Sequence, residues 1–312
     1  MTLPNFFVVG ASKAGTHSLY DWLRQHPDVF MPRVKAPRYF CNHGQDDYRF
    51  RFRTLADYEA LFEGVRGERA IGEATDVYMN YWSPAARIRA AVPEARIIAI
   101  LREPVQRAFS IYHMNLRVVG ANEGRSFLEA LAADIEIRRG YHEGLARFYA
   151  AFPRERILVL RFDDLRDDPG GTARRIFGFL GVDEGFVPDF AVANQGGVPK
   201  RKWVHRVLTH PQLRMLSNRF LPDGLVAYGK RLRSRNLAPH GMTAAEREEA
   251  YAFFHDDLLR TQALTGLDLS AWIREAPSDT APAAAARSAA GSAGPDAPAA
   301  QAGILADLKT GA

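Results

Sequence analysis

Gly10 and Gly15 bracket a short polar loop that contains Lys13, and Thr16, His17 and Ser18 follow at once. Glycines let backbone amides approach an oxyanion closely. A helix starting at Thr16 would add its unpaired first-turn N–H groups and the positive end of its dipole. The chemistry this suits is the holding of a phosphate-like anion. The G-x4-G spacing matches a Walker A loop, but there the lysine should follow the second glycine. Thr16 takes that place, and the lysine lies inside the loop. A second group begins at Arg102, after an apolar run, and continues through Glu103-Pro104 to Arg107, Ser110 and Tyr112. A guanidinium at a strand end and a hydroxyl two turns into the next helix can share one phosphate. The plain alternatives are a strand–helix turn and an ordinary helix start.

The elements that must position these groups alternate. Asn5–Val9 reads as a buried strand, followed by the loop and a helix over 16–25. Residues 28–68 are irregular, basic and aromatic. Ala70–Thr75 reads as a strand, and a helix runs from Pro84 to about 92. Ala95–Leu101 is the strongest strand pattern of the chain, with a helix opening at Glu103-Pro104, where proline costs no hydrogen bond. Helices follow at 124–134 and 141–151, then a strand at 156–162 and a helix at 171–180. The implied fold class is α/β: a P-loop-type three-layer fold with a central parallel sheet flanked by helices. A helical C-terminal part follows, with helices at 203–218, 224–233 and 243–264. The expected organisation is one domain over 1–274 and a disordered tail over 275–312, rich in Ala, Pro, Ser and Gly.

The displaced lysine resembles the 5′-phosphosulfate loop of the sulfotransferases that use 3′-phosphoadenylyl sulfate (PAPS). Their second element, a strand leading into R-(D/E/N)-P-x2-R-x2-S-x-Y, is similar to Arg102–Tyr112. Weaker likenesses are Arg161–Pro169, whose acids read as structural caps, and Thr265–Trp272. The chain is identified as a member of that family over about 3–274. It stands closer to the glycan and heparan-sulfate branch than to the cytosolic small-molecule enzymes.

The resemblance implies sulfuryl transfer from PAPS to an acceptor hydroxyl or amine, with no metal. It implies that Ser12, Lys13, Ala14, Gly15, Thr16, His17 and Ser18 hold the 5′ end of the donor. Arg102 and Ser110 would hold the 3′-phosphate, and Lys13 would stabilise the leaving oxygen. Glu73, in Gly72-Glu73-Ala74-Thr75-Asp76-Val77-Tyr78, fills the place of a general base, though the family's neighbouring lysine and proline are missing. Its pKa is expected above the usual carboxylate value, raised by burial and moderated by nearby lysines. Asp76 and His17 are the other candidates, and an N-cap or buried ion pair is the structural reading of Glu73. Lys35, in Val34–Phe40, resembles the K-E-x-H-(F/Y)-F segment, with Ala36 and Arg38 in place of Glu and His; a solvated basic loop is its alternative. Lys200 and Arg201 could clamp the 3′-phosphate beside Trp203, or simply open a basic helix.

Tyr39, Phe40, Tyr48, Phe50 and Phe52, interleaved with arginines, suit either an acceptor cleft or a hydrophobic cover over the sheet. Tyr78, Tyr81 and Trp82 follow the expected base. The favoured acceptor is a carbohydrate hydroxyl, with a lipid or secondary metabolite also open. A P-loop kinase or NTPase is the rival enzyme, disfavoured because Leu101-Arg102 puts a cation where a Mg²⁺ ligand is needed. A non-catalytic nucleotide-binding module is the other rival.

Composition sets the outer bounds. The 312 residues are 47% hydrophobic and 25% charged, with a net charge of +5. This is an ordinary globular balance, and so mild a surplus suits a small anion better than nucleic acid. Cys41 is the single cysteine, which excludes an internal disulfide and any cysteine-only zinc site. No apolar run reaches the ~20 residues of a membrane span, so a cytoplasmic protein is expected. Only six of the 41 basic residues are lysines. A GC-rich bacterial genome is the plain reading of the bias; the other, left open, is that a surviving lysine marks a place where a compact ammonium is needed.

Overall fold

A computed structural model describes residues 2–41, 52–118, 122, 124–190, 198–199, 237–238 and 242–274. Lys200, Arg201, Trp203, Tyr48, Phe50 and the 275–312 tail lie outside the described residues, as do the helices expected at 203–218 and 224–233.

Five parallel strands form the centre: β1 (Phe6–Gly10), β2 (Val29–Phe30), β3 (Ala70–Ala74), β4 (Arg96–Leu101) and β5 (Ile157–Arg161), in the order β2-β3-β1-β4-β5. All five residues of β1 are buried, as are all of β4 except Arg96. That is the mark of strands covered on both faces. Gly72 of β3 has no room for a side chain, since a Cβ there would lie 2.0 Å from the Phe6 ring.

The helices are α1 (Thr16–Leu23), α2 (Leu55–Glu59), α3 (Pro84–Ala91), α4 (Pro104–Val118), α5 (Phe127–Ala133), α6 (Ile135–Arg138), α7 (His142–Ala151), α8 (Phe162–Asp167), α9 (Pro169–Leu180), α10 (Ala244–Tyr251) and α11 (His255–Thr265). From β1 the chain moves outward to β2, returns to β3 beside β1, then crosses β1 to β4 and goes on to β5. Right-handed crossovers in opposite directions put their helices on opposite faces. Accordingly α3 packs on α7, and α11 joins them. On the other face His26, just after α1, packs against Phe177 of α9. The result is the three-layer α/β arrangement that the alternation implies.

The sequence pattern misses the short β2, α2 and α8. It also runs α10 and α11 together, although a turn at 252–254 separates them. Their place is set by non-local bonds: the Asp257 carboxylate of α11 accepts from the N–H groups of Tyr141 (2.7 Å) and His142 (3.0 Å), capping α7. No helix among the described residues is long and apolar enough to cross a membrane.

Candidate functional site

The order of the sheet reverses direction between β1 and β4. Loops leaving the carboxyl ends of such a pair diverge and open a crevice, where open α/β sheets bind ligands. The loop after β1 carries Ser12–Gly15, and the residue after β4 is Arg102. The two meet directly: the Arg102 guanidinium donates to the Lys13 carbonyl (3.2 Å) and to Gln106 Oε1 (3.3 Å), and lies 5.1 Å over the Phe162 ring. Its Nε is buried and has no hydrogen-bond partner among the described residues. An unpaired buried guanidinium N–H is costly unless a ligand completes it.

The loop itself is strained. Lys13 has φ +66°, a left-handed conformation that non-glycine residues adopt rarely and mostly at functional sites. Gly15 has φ +97°, and a Cβ there would fall 2.7 Å from the Phe162 ring. Gly15 is also the N-cap of α1, and no side chain caps that helix. Its first amides are therefore left for an anion. The loop, the uncapped helix and the Arg102 Nε are a donor set that fits a phosphate-like anion.

Lys35 reaches this loop from the segment before the aromatic turn. Its Nζ donates to Thr16 Oγ1 (3.3 Å) and lies 3.1 Å from His17 Nδ1. Burial lowers the Lys35 pKa, and the charges of Asp76 and Asp21 oppose that shift. Burial and the Lys35 ammonium lower the His17 pKa. Ala36 and Arg38 also have positive φ, +58° and +61°. The segment is tied along the end of β3, with Ala36 N–H donating to the Ala74 carbonyl (2.9 Å) and Arg38 N–H to Thr75 Oγ1 (3.3 Å).

Two carboxylates stand at that strand end and have different settings. Asp76 is half-buried, and its Oδ2 accepts from Ser12 Oγ of the loop at 2.7 Å. Glu73 is completely buried. Its Oε2 accepts from the hydroxyls of Tyr58 (2.5 Å) and Tyr78 (3.0 Å), and its Oε1 from Thr75 (2.5 Å). Burial pushes the Glu73 carboxyl up to about 7, and the three hydroxyls hold it from going higher. The moderating groups are thus hydroxyls, where the sequence suggested lysines. Sequence reasoning missed Tyr58 because α2 is short and the contact is non-local.

Tyr39, Phe40 and Phe52 are buried, and Tyr39 stacks on Tyr58 at 4.4 Å. These aromatics form the cover over the sheet and do not line a cleft. Cys41 is buried, and burial with the Glu73 charge pushes its thiol to about 12, an inert setting. Ser110 lies half-buried on α4. In the 161–169 segment Asp164 pairs with Arg161 (2.7 Å), Asp163 accepts from the Trp272 indole (3.1 Å), and Asp168 caps α9. These acids are structural.

The Glu73 setting has a measurable consequence. A carboxyl whose folded pKa lies above its unfolded value gives the folded state extra stability below the unfolded pKa. That stability is lost as pH rises through about 7. Melting temperature should therefore fall between pH 5 and 8, by an amount equivalent to roughly 1–3 kcal/mol. Glu73→Gln should flatten that part of the curve, as read by thermal melts in a constant-ionic-strength buffer series.

Comparisons with known proteins agree with this geometry. A family model described as the Sulfotransferase family matches residues 74–186. The crystal structure of a sulfotransferase from Alicyclobacillus acidocaldarius is 32% identical with a TM-score of 0.66, covering 88% of this chain and all of that one. Human heparan sulfate glucosamine 3-O-sulfotransferase 3B1 is 30% identical over 189 residues, 58% of this chain and 46% of its own. The membrane-associated sulfotransferase kil1 of Dictyostelium discoideum is 28% identical over 160 residues, 50% of this chain and 33% of its own. The chain thus spans less than half the length of these two curated relatives.

Proposed function

The chain belongs to the sulfotransferase family, and from that premise we propose that it transfers a sulfuryl group from PAPS to a carbohydrate hydroxyl, releasing 3′,5′-ADP (PAP). The observation that carries the donor assignment is the Arg102 side chain, which closes the β1 and β4 loops together and keeps an unpaired buried N–H. PAPS supplies the activated sulfuryl group. Amides from Ser12 to Ser18, with the Thr16 and Ser18 hydroxyls, bind its 5′ end, while Arg102 and Ser110 bind the 3′-phosphate. Lys13 places an ammonium at the leaving phosphate oxygen. Lys35, held by Thr16 and His17, lies on the acceptor side of the same anion. Lys200 and Arg201 stay expectations for closing the nucleotide. Residues 1–274 act as one catalytic unit, in a reducing cytoplasm that suits a single buried thiol.

Proton removal falls to a carboxylate at the end of β3. Glu73, the expected base, has a suitable pKa of about 7, but its oxygens are held by three hydroxyls and no atom of it is exposed. It serves only if one hydroxyl swings aside.

The acceptor assignment rests on the glycan-type relatives and on Trp82. This side chain is 76% exposed at the turn after β3. The Arg147 guanidinium backs its ring at 4.9 Å and is itself fixed by the Met79 carbonyl (3.0 Å) and Glu143 (2.9 Å). A rigid exposed indole suits the C–H face of a sugar. Trp82→Ala should raise the acceptor KM by about 2–10-fold, the worth of one aromatic contact, with kcat and PAP affinity retained. Initial rates at varied acceptor concentration test this.

The whole reading is tested by labelled PAPS against desulfated heparan, 4-nitrophenol and octylamine, with thermal shifts by PAP and by ATP–Mg²⁺. Transfer to the glycan is expected, with stabilisation by PAP. A shift with ATP–Mg²⁺ alone, and none with PAP, would replace it with the kinase reading.

A further inference from the structure

We propose that Asp76 is the group that takes the proton from the acceptor. The inference rests on the sulfuryl-transfer reading and deepens it. As the acceptor oxygen bonds to sulfur, its proton passes to an Asp76 carboxylate oxygen. The bond from sulfur to the bridging oxygen breaks, and its electron pair leaves on the 5′-phosphate of PAP, beside Lys13.

Placement is the first argument. Asp76 follows the β3 end and is hydrogen-bonded to Ser12, the residue next to Lys13. Oδ2 takes that bond, while Oδ1 makes none among the described residues. Asp76 is the leading carboxylate influence on both Lys35 and His17, ahead of Asp21 in each case. The Ser12 bond sets it against the loop, and its charge acts on Lys35 of the 33–41 segment. That segment reads Arg-Val-Lys-Ala-Pro-Arg-Tyr-Phe-Cys and brings no acid of its own.

The other candidates are less able to act. Glu73 is sealed under Tyr58, Tyr78 and Thr75. His17 is exposed, but its Nδ1 lies 3.1 Å from the Lys35 ammonium, which has no lone pair and can only donate. An Nδ1 that accepts from an ammonium leaves the neutral ring protonated at Nε2. His17 can then donate to an oxyanion but cannot take a proton at its outer nitrogen. Glu73 is turned inward to Thr75, as their hydrogen bond shows, and Asp76, in the turn after β3, is held to the loop by Ser12.

The test compares Asp76→Asn, Asp76→Ala, Ser12→Ala and Glu73→Gln in the full chain. The donor is PAPS, and the acceptor is whichever of desulfated heparan, 4-nitrophenol and octylamine wild type sulfates fastest. If it sulfates none, hydrolysis of PAPS by water is read. PAP affinity is measured by calorimetry, which also shows that each variant is folded. Asp76→Asn should lose about 10²–10⁴-fold in kcat with PAP affinity within about threefold of wild type. Formate should restore part of the turnover of Asp76→Ala. Ser12→Ala should weaken PAP binding more than it lowers kcat, the reverse of the Asp76 pattern. The proposal is overturned if Asp76→Asn keeps kcat within about threefold or if formate restores nothing. It is equally overturned if Asp76→Asn and Ser12→Ala lose PAP affinity and kcat in parallel, since Asp76 then only anchors the loop. Collapse of kcat in Glu73→Gln, with Asp76→Asn still active, returns the base to Glu73. A wild-type chain that neither binds PAP nor consumes PAPS fails the underlying reading instead.

Discussion

Lys13→Ala is expected to lower kcat by about 10²–10³, equivalent to ~2.7–4 kcal/mol of transition-state stabilisation, while PAP still binds. The reasoning starts from the backbone. Lys13 sits at φ +66° between two glycines, and its carbonyl is held by Arg102. The main chain that cradles the anion is thus fixed by groups other than the lysine side chain, and removing the ammonium leaves the cradle in place. What is lost is the positive charge at the oxygen that becomes an anion only as the S–O bond breaks. Ground-state binding therefore changes little and the rate changes greatly. Lys13→Arg should also be damaging, because a planar fork cannot replace a compact ammonium in so tight a turn. Single-turnover rates with saturating PAPS, paired with calorimetry for PAP, separate the two effects. A loss of PAP affinity as large as the loss of rate would make Lys13 a binding residue and remove it from the chemistry.

Arg102→Ala should give the largest loss of binding. A hydrogen bond to a charged group is worth about 1.5–3 kcal/mol, so PAP affinity should fall about 10–100-fold. The assigned partner is the 3′-phosphate, which 5′-AMP lacks. The penalty should therefore be large for PAP and small for 5′-AMP. Equal penalties for both would mean that Arg102 acts only by bracing the Lys13 carbonyl. Arg102→Lys should recover little, since one ammonium cannot contact the Lys13 carbonyl, Gln106 and a phosphate in fixed directions.

The donor side was the more legible half of the site. Gly10, Lys13, Gly15 and Thr16 lie within seven residues, and the apolar runs on each side place that stretch between a strand and a helix. Arg102 follows the strongest strand of the chain. Local pattern was enough to put both at strand carboxyl ends, and the sheet order β2-β3-β1-β4-β5 made those ends neighbours. The acceptor side was less legible. Tyr39 and Phe40 have the composition of a cleft, yet they pack with Tyr58 and Tyr78 into the cover over Glu73. Nothing in their own spacing marks them as core, because the partners lie in other elements.

Sequence by itself determined the fold class and the strand–loop–helix unit that carries Lys13, along with the separation of that lysine from the Walker position. Those features depend on neighbours within a few residues, through hydrophobic period, glycine conformation and helix termini. Tertiary structure gave the two carboxylates different settings. Glu73 and Asp76 are three residues apart and look alike in a one-dimensional reading. Packing seals the first beneath hydroxyls from α2 and the turn after β3, where lost hydration pushes its pKa up to about 7. The second is left against Ser12 and within the field of Lys35. Desolvation is the sum of all the atoms that come to surround a group, and most of those atoms arrive from distant parts of the chain.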